Sequence, residues 1–222
     1  ILQKVFSICT RFPGKREEPM NKQNSTIMKL AETALLAALC YVSFTFLQIK
    51  IPVPGGDATS LHIGNTFCVL GALLLGGWYG GLAGSIGMTI ADLMDPVYIT
   101  GAPKTFVLKL CIGLITGLVA HKIAKINETN DKKYVFKWSL IASIAGLAFN
   151  VIADPIVGYF YKQYILGQPQ EVASILAKLS AGATFVNAIV STILVVIIYN
   201  AVRPALIKAN LIHVYVTAAN AK

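Results

Sequence analysis

The sequence predicts an all-α integral membrane protein of six transmembrane helices, with both termini cytoplasmic. Three observations carry this reading. Charged residues make up only 13% of the chain, against roughly 25% in soluble domains. Those charges gather between long apolar stretches, as a bilayer requires, because a charge at its centre costs about 2.5–3.5 kcal/mol. Finally, the apolar stretches number six, most of them near the roughly 20 residues that a helix needs to cross.

Residues 1–19 mix Arg11, Lys15, Arg16, Glu17 and Glu18 with a short apolar patch. They lack the apolar core and small-residue cleavage site of a signal peptide. Met20 therefore reads as the natural start and residues 1–28 as an N-terminal extension. An interfacial amphipathic segment is the alternative. The transmembrane domain is expected over residues 29–208, with residues 209–222 as a tail.

The first span covers residues 30–49, and the Pro/Gly-rich break Ile51-Pro-Val-Pro-Gly-Gly-Asp57 ends it. The second span, residues 61–76, is short. A Gly-rich turn around Gly76 and Gly77 leads to the third, residues 78–94, which Asp95-Pro96 terminates. The fourth covers 103–123, with Pro103 in the first turn, where its missing N–H costs least. A polar loop over 124–136 precedes the fifth span, 137–161. The sixth covers 179–201, with residues 173–178 as a possible extra turn and Arg203-Pro204 as its stop. In this topology Lys22, Lys29, Lys122, Lys125, Lys132, Lys133, Lys137, Arg203 and Lys208 fall on one side. Fewer basic residues, namely Lys50, Lys104, Lys109, Lys162 and Lys178, fall toward the other. The positive-inside rule makes the first side cytoplasmic. The sequons at Asn24 and Asn127 then face inward and are discounted.

Several function classes are excluded. The net charge of +9 belongs to cytoplasmic loops rather than to nucleic-acid binding, since no basic stretch is interleaved with aromatics. The nearest approach to a phosphate loop is Gly101-Ala-Pro-Lys-Thr105, where Pro103 and Tyr98 stand at the two glycine positions. ATP hydrolysis must come from another chain. His62, His121 and His213 are scattered and no hydrolase motif is present, so an enzyme is not expected. Cys9, Cys40, Cys68 and Cys111 lack metal-ligand spacing, and neither metal, cofactor nor disulfide is predicted.

What remains is a binder of a small molecule. Asp92 on span three, Lys109 on span four, Asn150 and Asp154 on span five and Asn187 on span six are polar within apolar helices. Such residues are functional candidates. The alternative is that Asp92 or Asp154 pairs with Lys109 and ties helices together. Lys109 follows Lys104 by about one and a half turns, and Asn150 and Asp154 share one helix face. Tyr98, Tyr159, Phe160, Tyr161 and Tyr164 gather at the outer level. They read partly as an interfacial belt and partly as stacking partners for a flat ring, with Tyr98 and Tyr161 as candidate contacts. The set suits a small aromatic heterocycle bearing hydroxyl or amino groups. Glycines from Gly77 to Gly87 read as internal packing of span three. Ala31, Ala34, Ala37 and Ala38 form a smooth stripe on span one that suits either internal packing or a partner protein.

Taken in order, these features resemble the substrate-binding S components of energy-coupling factor (ECF) vitamin transporters. The resemblance rests on six spans, on Ala34-x-x-x-Ala38, on the Pro/Gly-rich first outer loop and on the Gly-rich stretch from Gly71 to Asp92. The segment from Pro103 to Gly117 completes it. It covers roughly residues 29–208 and points to the branch carrying hydroxymethylpyrimidine, pyridoxine and riboflavin members. It implies a multi-pass cell-membrane protein that binds a vitamin from outside. It further implies a membrane scaffold subunit and two ATP-binding subunits as partners, with Ala31, Ala34 and Ala38 facing the scaffold. Pyridoxine or hydroxymethylpyrimidine is the expected ligand. Riboflavin is the alternative, and a scaffold or assembly protein that does not transport is the reading from another class.

Overall fold

A computed structural model describes residues 22–53 and 57–209. The expected start at Met20, Cys9, His213 and nearly all of the tail lie outside these residues. Six helices follow in order: α1 Lys22–Phe46, α2 Gly64–Leu75, α3 Gly77–Met94, α4 Ala102–Gly117, α5 Lys132–Phe160 and α6 Gln170–Lys208. Wider π-helical turns continue α4 over Leu118–Ile123 and α5 over Tyr161–Ile165. Helix α1 begins inside the stretch assigned to the extension, since its polar first turns carry no helix breaker.

Four of these helices, α1, α4, α5 and α6, are long and apolar enough to cross a membrane. With only 12 residues, α2 rises about 18 Å, short of the roughly 30 Å hydrocarbon core. Its neighbours bury most of it. The even number of helices returns both described ends, Lys22 and Lys208, to one end of the bundle.

Two expectations need correction. The first outer loop is not irregular: β1 Gln48–Val53 pairs antiparallel with β2 Asp57–His62, with Lys50 opposite Ser60 and Gln48 opposite His62. Over Gln48-Ile-Lys-Ile the residues alternate with the strand period of two. Pro52 is tolerated because the hairpin leaves an edge free. Nor does α6 stop at Arg203-Pro204. It begins at Gln170 and runs through Pro204 to Lys208. The buried Arg203 donates to the Ile126 and Thr129 carbonyls, both at 3.0 Å, and so holds this last turn against the loop before α5.

The core is built around α3, which packs on α1, α2 and α4. Cys40, Cys68, Val69, Leu73, Met88 and Ile112 fill the space between them and are buried. The close approach depends on missing side chains. A Cβ on Gly80 would lie 2.0 Å from the Ala72 backbone nitrogen, and one on Gly113 would lie 2.2 Å from the Gly81 Cα. Neither neighbour is a flexible chain end, so the helices would have to separate. The glycines of α3 are thus internal packing, and the three described cysteines are free thiols.

This packing predicts a contrast within one residue type. Gly80→Ala should lower the melting temperature by the equivalent of at least about 2 kcal/mol, in the range of overpacking. Gly182 on α6 has open space where its Cβ would go. Gly182→Ala should be neutral or stabilising by up to about 1 kcal/mol. Equal melting temperatures for the two variants in detergent would contradict the close approach.

Candidate functional site

A cavity of about 130 Å³ opens at the end of the bundle that carries the hairpin. Its walls come from element ends and from the interior of α6. The tip of α1 supplies Phe44, and β2 supplies Ala58, Thr59, Ser60 and His62. The end of α3 and the loop after it bring Asp92, Val97 and Tyr98. The first turns of α4 bring Lys104, Thr105 and Lys109, and α5 and α6 add Asp154, Tyr161, Ser180, Thr184 and Asn187.

The structure therefore gathers Asp92, Tyr98, Lys109, Asp154, Tyr161 and Asn187 around one space. Asn150 does not line it. It is buried, and its Oδ1 has no hydrogen-bond partner among the described residues. It shares a face with Asp154 but sits one turn, about 6 Å, further into the bundle. Tyr159, Phe160 and Tyr164 do not line the cavity: Tyr159 meets Phe160 edge-on at 5.4 Å, and Phe160 lies nearly parallel to Tyr164 at 6.0 Å.

Charges in the cavity are unevenly paired. Lys104 holds Asp154 at 2.9 Å, and the Ser180 hydroxyl donates to the other carboxylate oxygen, so α4, α5 and α6 meet at one carboxylate. The alternative pairing of Lys109 with Asp92 or Asp154 is not made: no ion pair within 4.0 Å involves Lys109 among the described residues. Lys109 is 8% exposed and Asp92 is 3% exposed. Both face the cavity from adjacent helices, and Thr105, which lines it beside them, hydrogen-bonds the Asp92 carboxylate. The aromatic surface comes from Phe44, whose ring meets His62 edge-on at 4.7 Å and Tyr98 at 5.9 Å.

Polar contacts tie the rim of the cavity together. Lys50 of β1 pairs with Asp95 and lies over the Tyr98 ring at 5.4 Å. Partial burial acts to raise the Asp95 pKa, but hydrogen bonds from Lys50 and the Val97 N–H outweigh it and hold the carboxyl below its usual value. The Tyr161 hydroxyl donates to the Thr100 carbonyl at 2.8 Å, which ties α5 to the same loop. His62, Ser60, Phe44, Thr105, Ser180 and Thr184 were not among the residues predicted from the sequence. Ser60 and His62 lie on β2 and the others are ordinary polar or aromatic residues of α1, α4 and α6, and only the hairpin and the helix rotations bring them inward. Among the described residues no group of His, Cys, Asp and Glu could hold a metal ion.

Comparison with known proteins adds three findings. The family described as ECF-type riboflavin transporter, S component, matches residues 24–204. No curated protein matches the chain in sequence. The solved structure of ThiT from Listeria monocytogenes superposes with a TM-score of 0.60 at 20% identity, covering 82% of this chain and 98% of that one. At that identity the likeness concerns the fold.

The shared carboxylate predicts a double-mutant signature. Lys104→Met leaves Asp154 uncompensated and should destabilise by about 3 kcal/mol or more. Adding Asp154→Asn should return much of that loss. Additive losses in melting experiments would show that the two groups do not interact.

Proposed function

The chain belongs to the ECF-type riboflavin transporter S component family, and on that premise we propose that the cavity binds pyridoxine or hydroxymethylpyrimidine. As a member of the family it is a multi-pass cell-membrane protein of vitamin transport and not an enzyme.

The observation that carries the choice of ligand is the size and lining of the cavity. About 130 Å³ lies below the roughly 300 Å³ at the low end of sites for drug-sized ligands. That favours one ring over the three fused rings and side chain of riboflavin. Phe44, His62 and Tyr98 offer ring faces and edges to a flat guest, and Lys109 and Asp92, in no ion pair among the described residues, offer one charge of each sign. A hydroxylated pyridine or an aminopyrimidine carries acidic and basic groups on one ring and can answer both. Riboflavin is the second reading, favoured by the family's own description.

Family membership also implies a membrane scaffold and ATP-bearing subunits as partners in general. We assign the scaffold contact to α1. Ala31, Ala34 and Ala38 are exposed on it, with Leu30, Leu35 and Val42 beside them. A smooth face of small residues allows a second helix to approach closely in lipid.

Titration calorimetry with pyridoxine, hydroxymethylpyrimidine and riboflavin tests the ligand. One of the two single-ring compounds should bind most tightly, and tighter binding of riboflavin would overturn the assignment. Lys109→Met should weaken binding of the preferred compound roughly ten- to a hundredfold, because a buried polar atom of the ligand loses its partner. Ala34→Trp should abolish co-purification with the scaffold and leave ligand affinity unchanged. Normal co-purification would move the contact off this stripe.

A further inference from the structure

Strand β2 meets α6 through one side chain. The Asn187 amide donates from Nδ2 to the Ser60 carbonyl at 3.0 Å and accepts at Oδ1 from the His62 N–H at 3.0 Å. Ser60 and His62 are two apart in an extended strand, so this carbonyl and this N–H point to the same side. Since the His62 N–H is taken by Asn187, that side is the edge that β2 does not share with β1. A neighbouring strand would fill such an edge with one C=O and one N–H from its own backbone. Among side chains, only the planar amides of Asn and Gln carry both groups. Asn187 is 3% exposed, so water does not readily replace it, and an edge left bare there would hold unpaired backbone groups.

Asn187 lines the cavity, yet its amide is engaged with the strand. The residues it anchors, Ser60 and His62, line the cavity themselves. The other strand of the hairpin, β1, is held separately by Lys50 on Asp95, while Phe44 packs edge-on against His62 of β2. From this geometry we infer that Asn187 is a positioning residue. It acts as a one-residue third strand that keeps β2 over the cavity and so sets how long a guest stays. The inference rests on the reading of the cavity as the vitamin site.

The test separates the clasp from the ligand. Hydrogen–deuterium exchange of the ligand-free protein in lipid nanodiscs is followed at the amides of residues 60–62 in the wild type, Asn187→Ala and Asn187→Asp. The aspartate variant is nearly isosteric and keeps the acceptor while losing the donor, so it reports even if the alanine variant folds poorly. Exchange at these amides should rise about tenfold or more in both variants, as expected for loss of one or two buried bonds. Amides within α2 and α5 should be unaffected. With pyridoxine as the probe, dissociation should accelerate about tenfold with little change in association. Unchanged exchange at residues 60–62, or equally raised exchange throughout the helices, would overturn the clasp. Failure of pyridoxine to bind the wild type would instead overturn the choice of ligand, with the exchange result still deciding the clasp.

Discussion

Close backbone approach along α3 is the constraint on which the rest of the structure depends. Gly80 lies against Ala72, and Gly81 lies against Gly113, with no side chain between them. A bilayer supplies little hydrophobic force to drive helices together, so contact between bare backbones must do much of that work. The functional consequence lies at the outer end. Because α3 and α4 run this close, Asp92 near the end of one and Lys109 within the other face a common space.

That space is costly to maintain, and its polar groups are arranged accordingly. Charges in apolar surroundings must be paired or hydrated. Asp154 is satisfied by Lys104 and Ser180, and Asp95 by Lys50. Asp92 and Lys109 make no ion pair among the described residues. On the proposed reading, walls that satisfy one another beside Asp92 and Lys109 suit a guest with both an acidic and a basic group. Preorganisation of this kind reduces the ordering cost of binding.

The helices were legible in the sequence because hydropathy and breaker residues act locally: Asp95-Pro96 ends α3 where expected, and Pro103 stands in the first turn of α4. Asp92, Lys109, Asp154 and Asn187 stood out because a polar residue in an apolar span is conspicuous wherever it points. The hairpin was hidden because the alternation before Pro52 is short and the Pro/Gly cluster resembles an irregular loop. Pairing of Lys104 with Asp154 spans 50 residues and depends on the relative rotation of α4 and α5, which no local pattern encodes. Asn150 shows the limit of face arguments. Spacing of i, i+4 identifies a shared face correctly but says nothing about depth, and one turn separates a cavity wall from the buried interior.

On the proposed reading the outer cavity holds a single-ring heterocyclic vitamin. Mass spectrometry of small molecules released from the purified, folded protein tests it most directly. A stoichiometric pyridine or pyrimidine compound bearing hydroxyl or amino groups is expected, and its loss from Lys109→Met. Recovery of stoichiometric riboflavin, or of the same compound at equal occupancy from Lys109→Met, would contradict it.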